Sequence, residues 1–149
     1  MKVYAENDKA YFNYEILEKY IAGMVLLGSE VKSIKTGKIS IKGSYVVIKD
    51  EEAYLTGANI SPYQPKNTSP DYDPRRQRKL LLEKEEISYL VGKSKEGRIA
   101  LVPLKIFDKN AKIKLEFAVG KGKKKFDKRE AIKKRETKRE IEKELKQRG

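Results

Sequence analysis

The last 29 residues of this chain hold almost nothing from which a hydrophobic core can be built. KGKKKFDKREAIKKRETKREIEKELKQRG offers only Phe126, Ile132, Ile141 and Leu145 as sizeable apolar side chains. They are too few to form a continuous buried stripe. Whatever packs must therefore pack within residues 1–120, leaving 121–149 as a second, separate unit. That unit carries 14 basic and 6 acidic residues, a net +8 out of +13 for the whole chain. Pairs such as Glu130/Lys134 and Glu142/Lys146 stand four apart in the order that favours a helix, each contributing about 0.2–0.5 kcal/mol. The sequence predicts a tail that is loose alone and becomes helical when laid on a polyanion.

Composition narrows the chemistry. There is no cysteine and no histidine among the 149 residues, so disulfides, thiolate metal sites and imidazole bases are not available. No glycine-rich phosphate loop or nucleophile–base pairing is present. Asp71 and Asp73 are the best remaining argument for a metal-dependent nuclease, but Asp73 before Pro74 reads more simply as turn chemistry. No active site, metal or cofactor is expected. The longest apolar runs are four residues, far short of the ~20 that span a bilayer. The N-terminus lacks a signal-peptide core. A cytoplasmic protein with no membrane role is the expectation, and a pI near 9.7 points to a nucleic-acid partner.

Along the first 120 residues, Tyr14, Ile16, Leu17 and Tyr20 suggest a one-face helix, followed by a core strand over about 23–28. Glu30 to Lys35 has room for one or two helical turns, closed by Gly37. Ile39 and Ile41 begin a strand that continues through Tyr45–Ile48, and 53–58 forms a third, with a bulge or close backbone approach at Gly57. Pro65, Pro70 and Pro74 keep 64–74 irregular. Leu80–Leu82 is ambiguous between strand and helix, whereas 83–95 reads as a helix. Ile99 to Ile106 is a strand that Pro103 marks as an edge or a bulge. Ile113, Leu115 and Phe117 alternate cleanly with charged residues. The expectation is a mainly β fold with short helices, an OB-like closed β-barrel with peripheral α-helices.

Candidate phosphate-gripping cations fall in two sets, Lys32/Lys35/Lys38/Lys42 and the cluster Arg75, Arg76, Arg78, Lys79. Each competes with the plain reading of solvated surface charge. Most of the nine tyrosines read as packing residues, with base stacking as the alternative. Phe126, alone amid charge, reads as a stacking residue.

The ordered series Asn7, Tyr14, Ala22-Gly23, GSEVKSIKTGK (28–38), Ser44-Tyr45, ISPY (60–63), Asp73-Pro74, RKLLL (78–82), LVPL (101–104) and GKGKKKFDKRE (120–130) resembles the SmpB family. The resemblance extends over nearly the whole chain. It implies an OB-like barrel that binds the tRNA-like domain of transfer-messenger RNA and, with elongation factor Tu, brings it to stalled ribosomes for trans-translation. It implies no enzymatic activity. On this sequence, Asn7, Glu30, Lys32 and the lysines near Gly120 (Lys121, Lys123, Lys124) would belong to the RNA-facing barrel, together with Lys35, Lys38 and the 75–79 cluster. Phe126 matches the aromatic position expected to stack on a decoding-centre base, and Asp127, Lys128 and Arg129 the motif needed for accommodation. Lys133, Lys134, Arg135, Lys138 and Arg139 would line the message channel. The chain departs from many members at Phe12, in place of histidine, and at Ile21, in place of an acidic residue. A monomer is the default. The alternative is a general RNA-binding or ribosome-associated OB protein.

Overall fold

The structure, a computed structural model, describes residues 1–123. Expectations about the tail from Lys124 onward lie outside the described residues. The described residues form nine strands: β1 (Val3–Glu6), β2 (Tyr14–Met24), β3 (Ile39–Ser40), β4 (Tyr45–Lys49), β5 (Glu52–Thr56), β6 (Asn59–Ile60), β7 (Arg78–Leu81), β8 (Ile99–Lys109) and β9 (Lys112–Gly122). Three short helices join them: α1 (Ala10–Asn13), α2 (Gly28–Lys35) and α3 (Lys84–Ser94). Mainly β with short helices is thus the observed class.

The expected closed barrel is not. Seven strands form one antiparallel sheet in the order β1-β8-β9-β2-β7-β5-β4, and β3 pairs only with β6. The sheet curls until β4 packs near β8, yet no ladder joins them. β9 holds one edge of β8, and the N-terminal arm occupies the other. β1 pairs with Lys105–Phe107, while Asn7 donates its N–H to Leu104 O at 2.8 Å and its side-chain amide to Pro103 O at 3.0 Å. A strand whose two edges are both filled cannot accept a third partner. The arm therefore takes the place of a closing strand along Pro103–Asp108.

Local expectations also change or are narrowed. Tyr14–Tyr20 is strand, not helix, and pairs with β9 from Tyr14↔Gly122 to Gly23↔Lys114. Its exposure alternates with a period of two, but an exposed Leu17 and an inward Glu18 disguise the pattern. Glu18 is tolerated there because Tyr20 and Tyr89 donate hydroxyl hydrogens to it, at 2.9 and 2.5 Å. The strand expected at 23–28 accordingly ends at Met24. Pro103 marks an irregularity in an interior strand rather than an edge, since the β8–β9 register shifts between Pro103 and Lys105 and absorbs the missing N–H. Leu80–Leu82 resolves as strand through Leu81. Gly57, at φ +85, brings the chain against Ser44, where an added Cβ would stand 3.4 Å from the Ser44 Cα.

Leu55, Leu80, Leu90, Ile106, Leu115 and Phe117 centre the main core. Tyr20 stacks on Phe117 across the β2–β9 ladder, ring centres 5.5 Å apart. Ala10, Val102, Leu104 and Ala118 make a second, smaller cluster under α1. β9 carries the sheet to Gly122, so the chain leaves the fold beside α1, where Lys123 N–H bonds Asn13 O at 3.0 Å.

Candidate nucleic-acid interface

α2 begins where Leu27 leaves extended backbone, and Glu30, three residues on, turns back to accept the Leu27 N–H at 2.9 Å. This satisfies one of the unpaired amides at the helix start. Glu30 is buried, 1% exposed, and so is Arg78 at 0%. One Glu30 oxygen takes Arg78 Nε at 3.0 Å and Nη2 at 2.5 Å; the other takes Arg76. The remaining Arg78 nitrogen donates to Ala58 O and Pro74 O, at 3.1 and 2.9 Å. Tyr72 hydroxyl donates to Ile60 O at 2.7 Å and accepts from Arg78 Nη2 at 3.2 Å. Burial on its own would raise the Glu30 pKa. The Leu27 N–H and the two guanidiniums outweigh it and hold the carboxyl below its ordinary value.

Glu30 and Arg78 were expected on an RNA-facing surface, and their burial corrects that placement. Their charges are spent on each other and on carbonyls, so neither side chain meets an RNA phosphate in this conformation. They anchor α2 to β6, β7 and the 61–77 loop, which fixes what α2 presents outward.

What it presents is Lys32 and Lys35, exposed on the helix, with Lys38 exposed just past it. Lys32 and Lys38 place their amines 5.9 and 5.7 Å from the centre of the same ring, Tyr63. Lys38 also donates to Tyr63 O at 3.2 Å. Tyr63 is held in turn by its neighbour Ser61, whose N–H bonds Lys38 O at 3.1 Å and whose carbonyl accepts Ser33 Oγ at 2.7 Å. Two like charges are thus attracted to one aromatic ring. Lys35 joins Lys112 and Lys114 along a groove of about 350 Å³ floored by Met24, Leu26 and Ile113.

Sequence reading missed Tyr63, Lys112 and Lys114. The two lysines alternate with core residues on β9, which marked them as outward but not as neighbours of α2. The ISPY motif was visible, but nothing local says that its tyrosine sits beside Lys32.

The remaining candidates scatter. Arg75 is exposed, and its N–H bonds Asp73 Oδ1 at 2.9 Å, so Asp73 serves the turn. Arg76 is half-buried against Glu30, and Lys79 pairs with Glu52 at 3.1 Å. Lys121 is exposed, and Lys123 Nζ donates to Tyr11 O at 3.0 Å. Asn7 has its amide committed to Pro103. Lys121, paired with Glu15, and Lys123 lie at the Tyr14 end of the 11-residue β2 and α2 beyond its Met24 end, so roughly 30 Å of strand separates them. The cations form two basic regions rather than one.

A family model described as SmpB protein matches residues 4–147. The chain belongs to the SmpB family. It is 52% identical over 145 residues to an SsrA-binding protein of Sulfurihydrogenibium sp. (strain YO3AOP1), covering 97% of this chain and 95% of that relative. Identity is 48% over 148 residues to an SsrA-binding protein of Thermosynechococcus vestitus (strain NIES-2133 / IAM M-273 / BP-1), covering 99% and 97%. A solved structure described as "tmRNA-SmpB: a journey to the center of the bacterial ribosome" superposes with a TM-score of 0.66 and 43% identity, over 85% of this chain and 92% of that one. The open curled sheet with its arm-covered β8 is therefore the SmpB fold as this sequence builds it. Lys124 and the SmpB tail positions Phe126, Asp127, Lys128, Arg129, Lys133, Lys134, Arg135, Lys138 and Arg139 lie outside the described residues. Among the described residues, no helix is long and apolar enough to cross a membrane.

Proposed function

We propose that this protein is an RNA-binding adaptor that binds the tRNA-like domain of transfer-messenger RNA and delivers it to stalled ribosomes for trans-translation. The observation that carries the reading is the near-full-length match to relatives called SsrA-binding protein, supported by a structural relative described with tmRNA and the ribosome. The geometry agrees with an adaptor role. The described residues offer lysines at two ends of the sheet, with carboxylates such as Glu30 and Asp73 used for structure.

In this reading the folded body holds the RNA through Lys32, Lys35, Lys38 and Arg75 at one end and Lys121 and Lys123 at the other. The basic tail from Lys124 enters the decoding centre and message channel, Phe126 stacking on a base there. The protein acts as a monomer in the cytoplasm, without catalysis of its own, and elongation factor Tu joins through the charged RNA. Six to ten phosphate contacts would lower affinity by about 10³–10⁵ between 50 and 200 mM salt, so specificity must come from RNA shape and a few base contacts.

The test is binding of the full-length protein to the tRNA-like domain at about 0.15 M salt with ordinary tRNA in large excess. Tight binding that survives the competitor is expected. Binding that the competitor abolishes would leave a general RNA-binding protein.

A further inference from the structure

A second groove, of about 460 Å³, lies between the start of α3 and the β4–β5 turn. Its floor is apolar: Ile21 and Leu81 stand 44% and 55% exposed, flanked by Leu82 and Ile87. Gly23 pairs with Leu81, whose Cδ1 lies 3.4 Å from where a Cβ on Gly23 would stand. Water gains little from contact with such a strip, so covering it is favourable.

Its rim is acidic. Glu51 and Glu52 approach from the turn, Glu83 and Glu86 from the helix, against only Lys79 and Lys114. Lys79 is already paired with Glu52. This surplus of carboxylates stands on a chain of net charge +13 and repels a phosphate backbone. Among the described residues no three acidic groups converge so as to hold a metal ion. The negative charge is spread along the groove, which suits several separate cations. An extended polypeptide presents side chains alternately to two faces; with aliphatic groups turned down and lysines or arginines reaching the rim, it would match floor and rim together.

We propose that this groove docks a lysine- or arginine-rich, aliphatic segment of another protein. Gly23, Leu81 and Lys114 line both this groove and the basic groove beside α2. A polypeptide and an RNA are therefore accommodated side by side, with Lys114 at the boundary.

The experiment uses the full chain and a fluorescent synthetic peptide alternating lysine and leucine, with a glutamate–leucine peptide as control. The lysine–leucine peptide binds and the control does not. Ile21→Ser and Glu51→Lys, both on exposed positions outside the basic groove, each weaken it about tenfold, while binding of the tRNA-like RNA, read in the same samples, is retained. Saturating RNA leaves the peptide in place. The proposal is overturned if the two substitutions leave peptide affinity unchanged, or if RNA displaces the peptide. It is also overturned if a peptide of residues 124–149 displaces the probe and shows the same sensitivity to both substitutions, which would assign the groove to the tail of this chain or of a second copy.

Discussion

α2 and α3 start with the same device and put it to opposite uses. In each, a glutamate three residues into the helix turns back to accept the N–H of the residue before it: Glu30 from Leu27 at 2.9 Å, Glu86 from Glu83 at 3.0 Å. Glu86 remains half-exposed on the rim of a groove. Glu30 is buried with Arg78 and clasped by Arg76. One carboxylate trims a helix end, and the other holds a helix, a strand and a loop in register. The capping pattern in the sequence therefore marks where a helix begins but not what its glutamate goes on to do. Burial decides that, and burial depends on an arginine 48 residues away.

The largest expected effect breaks the comparison outright. Glu30→Ala leaves Arg78 charged and buried without a counter-ion, which costs about 3–5 kcal/mol. Urea unfolding should show that loss, together with lower RNA affinity as Lys32 and Lys38 lose their mounting. Arg78→Met alone is equally informative, because it strands Glu30 instead. If Glu30→Ala unfolds no more easily than Glu86→Ala, the buried pair is not what positions α2.

The comparison also predicts an asymmetry with pH. The Glu30 carboxyl titrates below its ordinary value of 4.5. Its contribution is thus fully present above that value in the unfolded chain and is lost as pH falls through the lower folded one. Stability should decline on acidification through and below about pH 4.5. Glu30→Gln should be less stable at neutral pH and show a shallower acid slope. Glu18 is also held low, chiefly by the Tyr89 hydroxyl, and adds to the same slope, so the slope flattens in the variant without vanishing.

How much of this was legible beforehand follows from the range of each interaction. β9 was read correctly because its alternation from Ile113 to Phe117 is local. α2 and α3 were read for the same reason, each from its own turn. β2 was misread because Leu17 faces out and Glu18 inward, and one of the two hydroxyls that satisfy Glu18 comes from Tyr89, 71 residues on. Barrel closure failed on a similar ground, since nothing in residues 1–7 announces that they will fill the outer edge of β8. Among the candidate RNA contacts, Lys32, Lys35, Lys38 and Arg75 are exposed as expected. Arg78 could not be separated from its neighbours by sequence, as RRQRK looks uniformly basic while its strand period sends Arg78 inward and Lys79 outward.

A smaller effect sharpens the difference between a helix that presents cations and one that presents carboxylates. Tyr63→Leu keeps the bulk of the ring but removes its attraction for Lys32 and Lys38, about 0.5–1 kcal/mol for each exposed contact. RNA affinity should fall several-fold to about tenfold while urea stability barely moves. Lys32→Ala or Lys38→Ala should instead lower the steepness of the salt dependence by about 0.7–0.9 each. An unchanged salt slope in both lysine variants would remove α2 from the phosphate-binding surface.

The smallest expected effect tests the exposed member of the pair. Glu86→Ala removes the acceptor for the Glu83 N–H but strands no charge, because water reaches the amide. The loss should be about 0.5–1 kcal/mol, seen as faster hydrogen exchange at the first turn of α3 with the sheet unaffected. α3 keeps Leu90 in the core and Tyr89 on Glu18 at 2.5 Å, so its docking does not depend on the cap. RNA affinity should stay the same, because the carboxylate edges the acidic groove rather than a basic face. A drop in RNA binding with Glu86→Ala would mean that the RNA reaches across Lys114 onto α3, and the division of the surface between the two helices would have to be redrawn.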